Sequence, residues 1–393
     1  MQEILEKYLK GDKGIWAVVI LLSLFSAVMA LSASSNMAYR LADGNATPFW
    51  IKHVFFLIIG IVIMVYLQHF KFKYFSRLSQ VGLWLVIPLL LVTLAFGKNI
   101  NSAQRWIMGF QPSDLAKVVL IIYVARMLAL NKDKITNFKE GLLPILIPIA
   151  AICGLILPAN FSTAFMLAAV CFTMLFVGGA LIKHLLAVVG GAIGVFALLI
   201  LLSNVFPGFL PRAKTWEKRV TSFITSTQAD IDDPESKNDN YQAHKAKMAV
   251  GSAGIIGKRI GRGNVKNDLY SAQSDFIFSA VVEELGWLLG AIPLLVLYLI
   301  FFFRSLRIMT KSESLFGSHL VFGLSFLLII QALINMAVGV NLIPVTGQPL
   351  PLISMGGTSI LFICIAIGII LNVSQHLHEG DETSQLKTAN SAS

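Results

Sequence analysis

The 393-residue sequence has little charge. Asp, Glu, Lys and Arg together make up 13% of its residues, whereas 56% are hydrophobic. A soluble domain carries about 25% charged residues, which solvate its surface. The mean hydropathy of +0.75 points the same way. This composition excludes an ordinary soluble enzyme and favours a chain whose exterior contacts lipid.

Cysteine is also scarce. The three residues, Cys153, Cys171 and Cys364, all lie inside apolar runs, so they predict neither a disulfide framework nor a CxxC metal site. No two histidines stand at metal-ligand spacing with a carboxylate. Basic runs interleaved with aromatic residues are absent as well. The net charge of +10 therefore indicates cytoplasmic loops and anionic lipid rather than nucleic acid.

Long apolar runs dominate what remains. A helix of about 20 apolar residues crosses a hydrocarbon core of about 30 Å. The predicted spans are 15–35, 50–68, 81–97, 113–130, 141–158, 161–180, 184–206, 275–303, 316–341 and 353–374. The first run is too long for a signal peptide, and many spans follow it. We therefore predict an all-α polytopic membrane protein, a single domain of about ten transmembrane helices.

The distribution of Lys and Arg sets the predicted orientation. Most basic residues of the short loops fall on one side, together with the N-terminus, and this excess is typical of the cytoplasmic face. Both termini are therefore predicted to be cytoplasmic. The polar tail 376–393 is expected to be disordered. The loop 207–274 is far longer than the others and is predicted to be extracytoplasmic.

The second half of this long loop is basic and rich in glycine. Ala243 to Val250 can form an amphipathic helix, and five glycines then follow, interleaved with Lys258, Arg259 and Arg262. Such a segment suits a phosphate-bearing ligand. The alternative is a flexible linker near lipid headgroups.

A first cluster of polar residues surrounds the predicted start of the fourth span. Its members are Arg105, Trp106, Gln111, Pro112, Ser113, Asp114 and Lys117. Pro112 suits a helix start, and Asp114 complements the helix dipole. Arg105 and Lys117 beside a helix N-terminus would form a phosphate site. The alternative is a cap in which Lys117 and Asp114, three residues apart, form an ion pair that stabilises the helix end.

A second cluster lies where the long loop meets the eighth span. At about 100° per residue, Glu283 lies about 80° around the helix from Asp275, and Glu284 lies about 180° away. Glu283 is therefore expected to share a cavity with Asp275, and Glu284 to pair with another helix. A carboxylate at a water–lipid boundary can act as a general base. The alternatives are an N-cap for Asp275 and an interhelical hydrogen bond for Glu283.

A third cluster is a turn rich in glycine and proline that re-enters the membrane before the last span. Its candidate residues are Asn335, Pro344, Thr346, Gly347, Pro349, Ser354, Gly356, Gly357 and Ser359. Irregular backbone is tolerated at membrane depth where it is buried or lines a cavity. The alternative is a tight turn in which small residues allow close helix packing.

In this order and on about ten spans, the clusters resemble the shape, elongation, division and sporulation family of FtsW, RodA and SpoVE. The resemblance covers roughly residues 12–375. It rests on Arg105-Trp106-Ile107, Gln111-Pro112-Ser113-Asp114 with Lys117, Asn240-Tyr241-Gln242, Asp275-Phe276-Ile277-Phe278 with Glu283-Glu284-Leu285-Gly286, and the stretch from Asn335 to Ser359.

The resemblance implies a peptidoglycan glycosyltransferase in a bacterial cytoplasmic membrane. Such an enzyme polymerises lipid II on the outer face and works with a class B penicillin-binding protein and other divisome membrane proteins. The family's essential aspartate falls on Asp275, and its cavity arginine and lysine fall on Arg105 and Lys117. We also expect Gln111, Ser113, Asp114, Lys258 and Arg259 to bind the substrate pyrophosphate, whereas Trp106, Glu283 and the third cluster shape the cavity.

The implied chemistry needs few groups. Lipid II carries an α-linked sugar on pyrophosphate and the glycan is β-linked, so a single displacement with inversion is expected. Asp275 would deprotonate the acceptor 4-hydroxyl, and Arg105, Lys117 or a divalent cation such as Mg²⁺ or Mn²⁺ would neutralise the leaving group. Tyr241-Gln242 resembles the division branch. A polymerase of cell elongation, a lipid II flippase and a non-catalytic scaffold are the alternatives.

The sequence also departs from the family pattern. Where the family has Pro, Glu, His and Thr before its aspartate, this chain has Tyr270, Ser271, Gln273 and Ser274. The absence of the histidine makes a histidine-assisted base unexpected. A carboxylate that the family carries after Pro158 is absent too, so no catalytic role is placed there.

Overall fold

The computed structural model describes residues 10–34, 43–100, 103–107, 109–205, 239–263 and 272–391. Twelve helices and one β-ribbon follow in chain order within these ranges. They are α1 (Lys13–Ala33), α2 (Thr47–Gln68), α3 (Lys73–Phe96), β1 (Lys98–Ile100), β2 (Ala103–Trp106), α4 (Pro112–Leu130), α5 (Leu143–Ile156), α6 (Phe161–Val177), α7 (Ile182–Val205), α8 (Asp239–Ser252), α9 (Ile277–Gly286), α10 (Ile292–Lys311), α11 (Leu315–Gly339) and α12 (Thr358–Ser391).

The helices confirm a polytopic helical membrane fold. Seven helical stretches of the described chain are long and apolar enough to cross a membrane, and α6 and the 182–195 part of α7 are shorter apolar helices. π-helical turns, Phe138–Leu142 before α5 and Trp287–Ala291 between α9 and α10, extend two of the long stretches. Each predicted span falls on one of these helices or on α4.

Helix α4 carries three charged residues, Asp114, Lys117 and Arg126, and is packed inside the bundle. It contacts α3, α5, α6, α11 and α12. Helices α11 and α12 are also central, since 72% of the apolar window of each is buried, against 22% for α2 and α3. Neighbouring helices therefore enclose the start of α4, so its charged side chains contact protein rather than lipid.

The structure adds a short antiparallel ribbon before α4, in which Lys98 pairs with Trp106. It differs from the sequence-based predictions at two places. Helix α8 starts at Asp239, earlier than the predicted amphipathic segment, and buries Gln242, Ala246 and Ala249 on one face. Helix α12 continues to Ser391 through the tail that we expected to be disordered, which contains no proline to end a helix. Residues 207–238, the first part of the predicted long loop, lie outside the described residues.

Candidate active site

Three segments that are distant in sequence meet at Gly347, in the irregular stretch between α11 and α12 that we call the re-entrant segment (residues 340–357). A Cβ atom on Gly347 would lie 3.8 Å from Asp275 Oδ2 and 3.9 Å from Arg105 Nη1. The carboxylate and the guanidinium therefore border the same small space. The backbone of Gly347 has φ +68°, a conformation that glycine adopts without strain.

Arg105 projects from β2 and is held by its neighbours. Its Nε donates a hydrogen bond of 2.9 Å to the carbonyl oxygen of Ala159, in the turn between α5 and α6. It also lines a cavity with the polar residues Thr93, Ser113 and Asn160. The remaining lining is apolar and comes from Leu90, Leu94, Leu155, Ile156 and Ala159. The Arg105 guanidinium and three polar side chains thus line a cavity whose other lining residues are apolar.

The backbone beside Asp275 is tied to the re-entrant segment. Asn335 Nδ2 donates to the carbonyl oxygens of Asp275, at 3.0 Å, and Gln348, at 2.8 Å. Ser354 Oγ donates to the carbonyl of Ser274 at 2.7 Å. The N-cap position of α9 is occupied by Phe276, and no side chain caps it. The N-cap role considered for Asp275 is therefore not found, and its carboxylate faces Gly347.

Lys117 lies in a different place from Arg105. Its Nζ is 2.8 Å from Asp114 Oδ1, and both side chains are almost completely buried. They line a second cavity with Gln331 and Ser359, between α4, α11 and α12. The structure thus forms the ion pair at the start of α4, and the two cations of the predicted phosphate site line separate cavities. Gln111 Nε2 donates to Ser113 Oγ at 3.0 Å within the same helix start.

Glu283 contacts the basic, glycine-rich second half of the long loop. Its Oε1 accepts from Lys258 Nζ at 3.0 Å, and the Glu283 side chain is fully buried. Lys258 Nζ also donates to Ser252 Oγ at 2.8 Å. The expectation that Glu284 pairs with another helix is confirmed, because Ser32 Oγ of α1 donates to its Oε1 at 2.6 Å.

The glycine-rich segment docks on a break between α9 and α10. Gly286 has φ +75° and interrupts the helix. The backbone N–H groups of Lys258 and Arg259 donate to the carbonyls of Glu283 and Glu284, at 3.0 and 2.8 Å, and Leu288 N donates to Ile255 O at 3.0 Å. The segment therefore satisfies backbone groups that the break leaves without helical partners. The side chain of Arg259 is exposed.

Comparisons with known proteins agree with this architecture. The family model of the cell cycle proteins FtsW, RodA and SpoVE matches residues 12–379. The probable peptidoglycan glycosyltransferase FtsW of Geobacter sp. (strain M18) is 31% identical over 380 residues, which cover 93% of this chain and 97% of the relative. Stage V sporulation protein E of Bacillus subtilis (strain 168) is 31% identical over 369 residues, which cover 91% and 95%.

The chain belongs to the FtsW, RodA and SpoVE family.

Solved structures show the same fold. A chain of a peptidoglycan synthase complex, described as coordinating polymerization and crosslinking, superposes with a TM-score of 0.72 at 24% identity, over 94% of this chain and 98% of that one. RodA of Thermus thermophilus gives a TM-score of 0.66 at 22% identity, over 94% and 98%. This member of the FtsW, RodA and SpoVE family thus keeps the fold at low sequence identity.

The remaining predicted residues of this family member, apart from Trp106, lie in or next to the re-entrant segment. Gln331 Nε2 donates to the Pro349 carbonyl at 2.8 Å, and Ser359 N donates to Gly356 O at 3.1 Å. Thr346 Oγ1 is buried and has no hydrogen-bond partner. The other members of this set, Trp106 at the end of β2 and Pro344 and Gly357 in the re-entrant segment, are partly buried.

Three further contacts hold this segment, and the sequence did not predict them. Gln348 Nε2 donates to Thr163 Oγ1 at 2.7 Å, and Tyr298 OH donates to the carbonyl of Pro351. His53 contacts Ser26, which in turn contacts the carbonyl of Ile353. His53 could have been recognised from the sequence, because it is a polar residue about one turn inside an apolar run.

A divalent cation stays a prediction for this family member. Within the described ranges, no three His, Cys, Asp or Glu side chains come together as a ligand set. The Asp275 carboxylate offers oxygen ligands, which Mg²⁺ prefers. A cation there would take its other ligands from water and from substrate phosphates, as Mg²⁺ commonly does.

Proposed function

We propose that this chain, a peptidoglycan glycosyltransferase of the FtsW, RodA and SpoVE family, polymerises lipid II into glycan strands for the septal wall. The reaction takes place at the outer face of a bacterial cytoplasmic membrane, with both termini in the cytoplasm. The observation that carries the proposal is the meeting of Asp275 and Arg105 at Gly347. The names of the curated relatives support the same activity.

Asp275 is the base of this reaction. The acceptor sugar loses the proton of its 4-hydroxyl to the Asp275 carboxylate, and the oxygen attacks the anomeric carbon of the donor. The bond to undecaprenyl pyrophosphate breaks with inversion, so an α-linked donor gives a β-linked glycan. The pyrophosphate leaves as an anion and needs no strong general acid.

Arg105 stabilises the leaving group. Its guanidinium borders the same space as the base, and a fixed cation near developing negative charge lowers the barrier. Lys117 contributes differently, since its ammonium neutralises Asp114 and keeps the start of α4 in place. A divalent cation bound to Asp275 and the pyrophosphate would add further positive charge.

The cavity that Arg105 lines suits the lipid part of the substrate. Leucine and isoleucine side chains of α3 and α5 line it together with Arg105, Ser113 and Asn160. A polyprenyl pyrophosphate has the same polarity, with a charged head on an apolar chain. The apolar chain would lie against these leucine and isoleucine side chains while the phosphates contact Arg105.

A class B penicillin-binding protein is the proposed partner, together with other divisome membrane proteins. The similarity of fold to a chain of a peptidoglycan synthase complex supports it. In such a complex the polymerase would deliver strands to a transpeptidase that crosslinks them.

The test is polymerisation of purified lipid II by the full-length protein, with and without the partner. Asp275→Asn should reduce the rate by at least about a hundredfold, because a positioned general base contributes roughly 10²–10⁴-fold. Asp133→Asn, the same change in an exposed inner loop, is the control. Asp275→Asn protein that inserts in membranes, binds the partner and makes normal strands would overturn the assignment. Labelled lipid II in liposomes separates polymerisation from flipping.

A further inference from the structure

A buried histidine and a buried serine connect α1 and α2 to the re-entrant segment. Ser26 of α1 is 0% exposed and His53 of α2 is 2% exposed. His53 Nε2 lies 2.7 Å from Ser26 Oγ, and Ser26 Oγ donates to the carbonyl oxygen of Ile353 at 3.2 Å. Because a serine hydroxyl has one proton, the proton between Ser26 and His53 is the one on Nε2. The imidazole thus donates to the serine, and the serine donates to the backbone.

The carbonyl at the end of this chain belongs to a strained bend. Leu352 has φ +64°, a conformation that is unfavourable for a residue with a branched side chain. Backbone strain persists only where surrounding contacts impose it. Three hydrogen bonds impose it here. Ser26 Oγ donates to the carbonyl of Ile353, and Tyr298 OH donates to the carbonyl of Pro351. Leu350 N donates to Ser354 Oγ at 2.7 Å.

The bend is joined directly to the segment that carries Asp275. Ser354 Oγ donates to the carbonyl of Ser274, the residue before Asp275, and Met355 N donates to Gln273 O at 2.9 Å. Five residues before Leu352 on the same segment, Gly347 borders the Asp275 carboxylate. A shift of the bend would therefore move the Asp275 backbone and the space beside its carboxylate.

We propose that His53 is a positioning residue for the glycosyl transfer. It orients the Ser26 hydroxyl, which holds the bend at Leu352 and Ile353, and the bend sets Asp275 relative to Gly347 and Arg105. The proposal rests on the proposed function in one respect, the role of Asp275 as base. His53 contacts neither substrate nor reacting atoms, and its contribution is a fixed hydrogen-bond donor.

A donor can be kept or removed at this position. His53→Gln places an amide nitrogen at a reach similar to that of Nε2, so it should still orient Ser26. His53→Leu removes the donor, and Ser26→Ala removes the link to Ile353 with a smaller change of volume. His69→Leu is the matched control, because His69 is exposed at the end of α2 and bonds only within its own helix, to Val65 O.

The experiment uses the full-length protein and two readouts. Hydrogen–deuterium exchange of residues 348–356 should become faster in His53→Leu and Ser26→Ala, and stay unchanged in His53→Gln and His69→Leu. The lipid II polymerisation rate at saturation should fall roughly tenfold in the first two variants, with little change in the half-saturating concentration, as expected for a misplaced catalytic group.

Two results would overturn the proposal. One is exchange in residues 348–356 that is the same in Ser26→Ala and His53→Leu as in the unchanged protein. The other is a loss in His53→Gln as large as in His53→Leu. Thermal unfolding of every variant identifies misfolding, and Ser26→Ala decides alone if His53→Leu does not fold. An active Asp275→Asn protein would contradict the role of Asp275 as base. The exchange measurement would still show whether His53 and Ser26 hold the bend.

Discussion

The side-chain amide of Asn335 donates a hydrogen bond to the backbone carbonyl of Asp275, 3.0 Å away. The same nitrogen donates to the carbonyl of Gln348 at 2.8 Å, so one buried side chain joins α11, the residue proposed as base and the re-entrant segment. This contact positions the backbone of Asp275 and leaves its carboxylate facing Gly347. The cavity therefore depends on side chains that do not themselves face the substrate.

Asn335→Leu should reduce polymerisation more than it reduces stability. The substitution removes the Asn335 donor from the carbonyls of Asp275 and Gln348, which costs about 1–3 kcal/mol, and it frees the Asp275 backbone to move. We expect a rate loss of roughly a hundredfold, since small misplacements of a catalytic group have effects of that size. Lipid II polymerisation and thermal unfolding measure the two effects. Asn131→Leu, at the end of α4, where the amide makes a long 3.5 Å contact, is the control. Equal losses in both variants would contradict the prediction.

Gly347→Ala should lower activity at a modest cost in stability. Its Cβ would occupy the space between Asp275 Oδ2 and Arg105 Nη1 without a clash, and its φ of +68° would cost about 1–2 kcal/mol. Gly254→Ala is a close match, because Gly254 has φ +64° and open space around it. Both variants should lose similar thermal stability, whereas polymerisation should fall roughly tenfold only in Gly347→Ala. Equal activity in the two would mean that the space beside Gly347 is not used by substrate.

The elements of this site differed in how well the sequence predicted them. The sequence singles out Asp275, Arg105 and the re-entrant segment, because charged residues and irregular backbone are costly near lipid, and the structure places them together around Gly347. The placement of Lys117 and Arg105 in separate cavities could not be predicted. Residue spacing gives the angle at which a side chain leaves α4, but it does not say which neighbouring helix that side chain meets. The Ser26–His53 contact joins residues 27 positions apart on two helices and has no motif.

The basic, glycine-rich second half of the long loop is another element whose role the sequence could not predict. Composition left a phosphate-binding loop and a linker as equal alternatives. The structure uses its glycines for backbone contact with the break at Gly286 and its Lys258 for an ion pair with Glu283. Long-range backbone pairing of this kind leaves no periodic pattern in the sequence, so only the three-dimensional structure could identify it.

The ion pair between Lys258 and Glu283 should behave as a coupled unit in stability measurements. Lys258→Met leaves a carboxylate that is fully buried with one partner fewer, and Glu283→Gln removes the charge that holds the ammonium. We expect the double variant to lose less than the sum of the single variants, by about 0.5–3 kcal/mol. Thermal or chemical unfolding of the purified protein measures this, with Lys247→Met on the exposed face of α8 as control. Additive losses would show that the pair contributes nothing specific.

Gly257→Ala should undock the basic loop from the break between α9 and α10. A Cβ there would lie 2.4 Å from both the Glu284 carbonyl oxygen and the Gly286 nitrogen, closer than any real contact, and both are backbone atoms that cannot rotate away. The loop would have to move, and its hydrogen bonds to Glu283 and Glu284 would lengthen or break.

The matched control for this last substitution is Gly261→Ala. Gly261 has φ +81° against +80° for Gly257, but nothing lies within 4 Å of its Cβ position. Both variants carry the strain of a left-handed alanine, about 1–2 kcal/mol, and only Gly257→Ala adds the collision. Hydrogen exchange of residues 283–289 should therefore rise in Gly257→Ala alone, with a larger drop in thermal stability. Because α9 begins two residues after Asp275, polymerisation should fall in the same variant. If the loop undocks and activity stays complete, the contacts at the Gly286 break do not affect the position of Asp275, the proposed base.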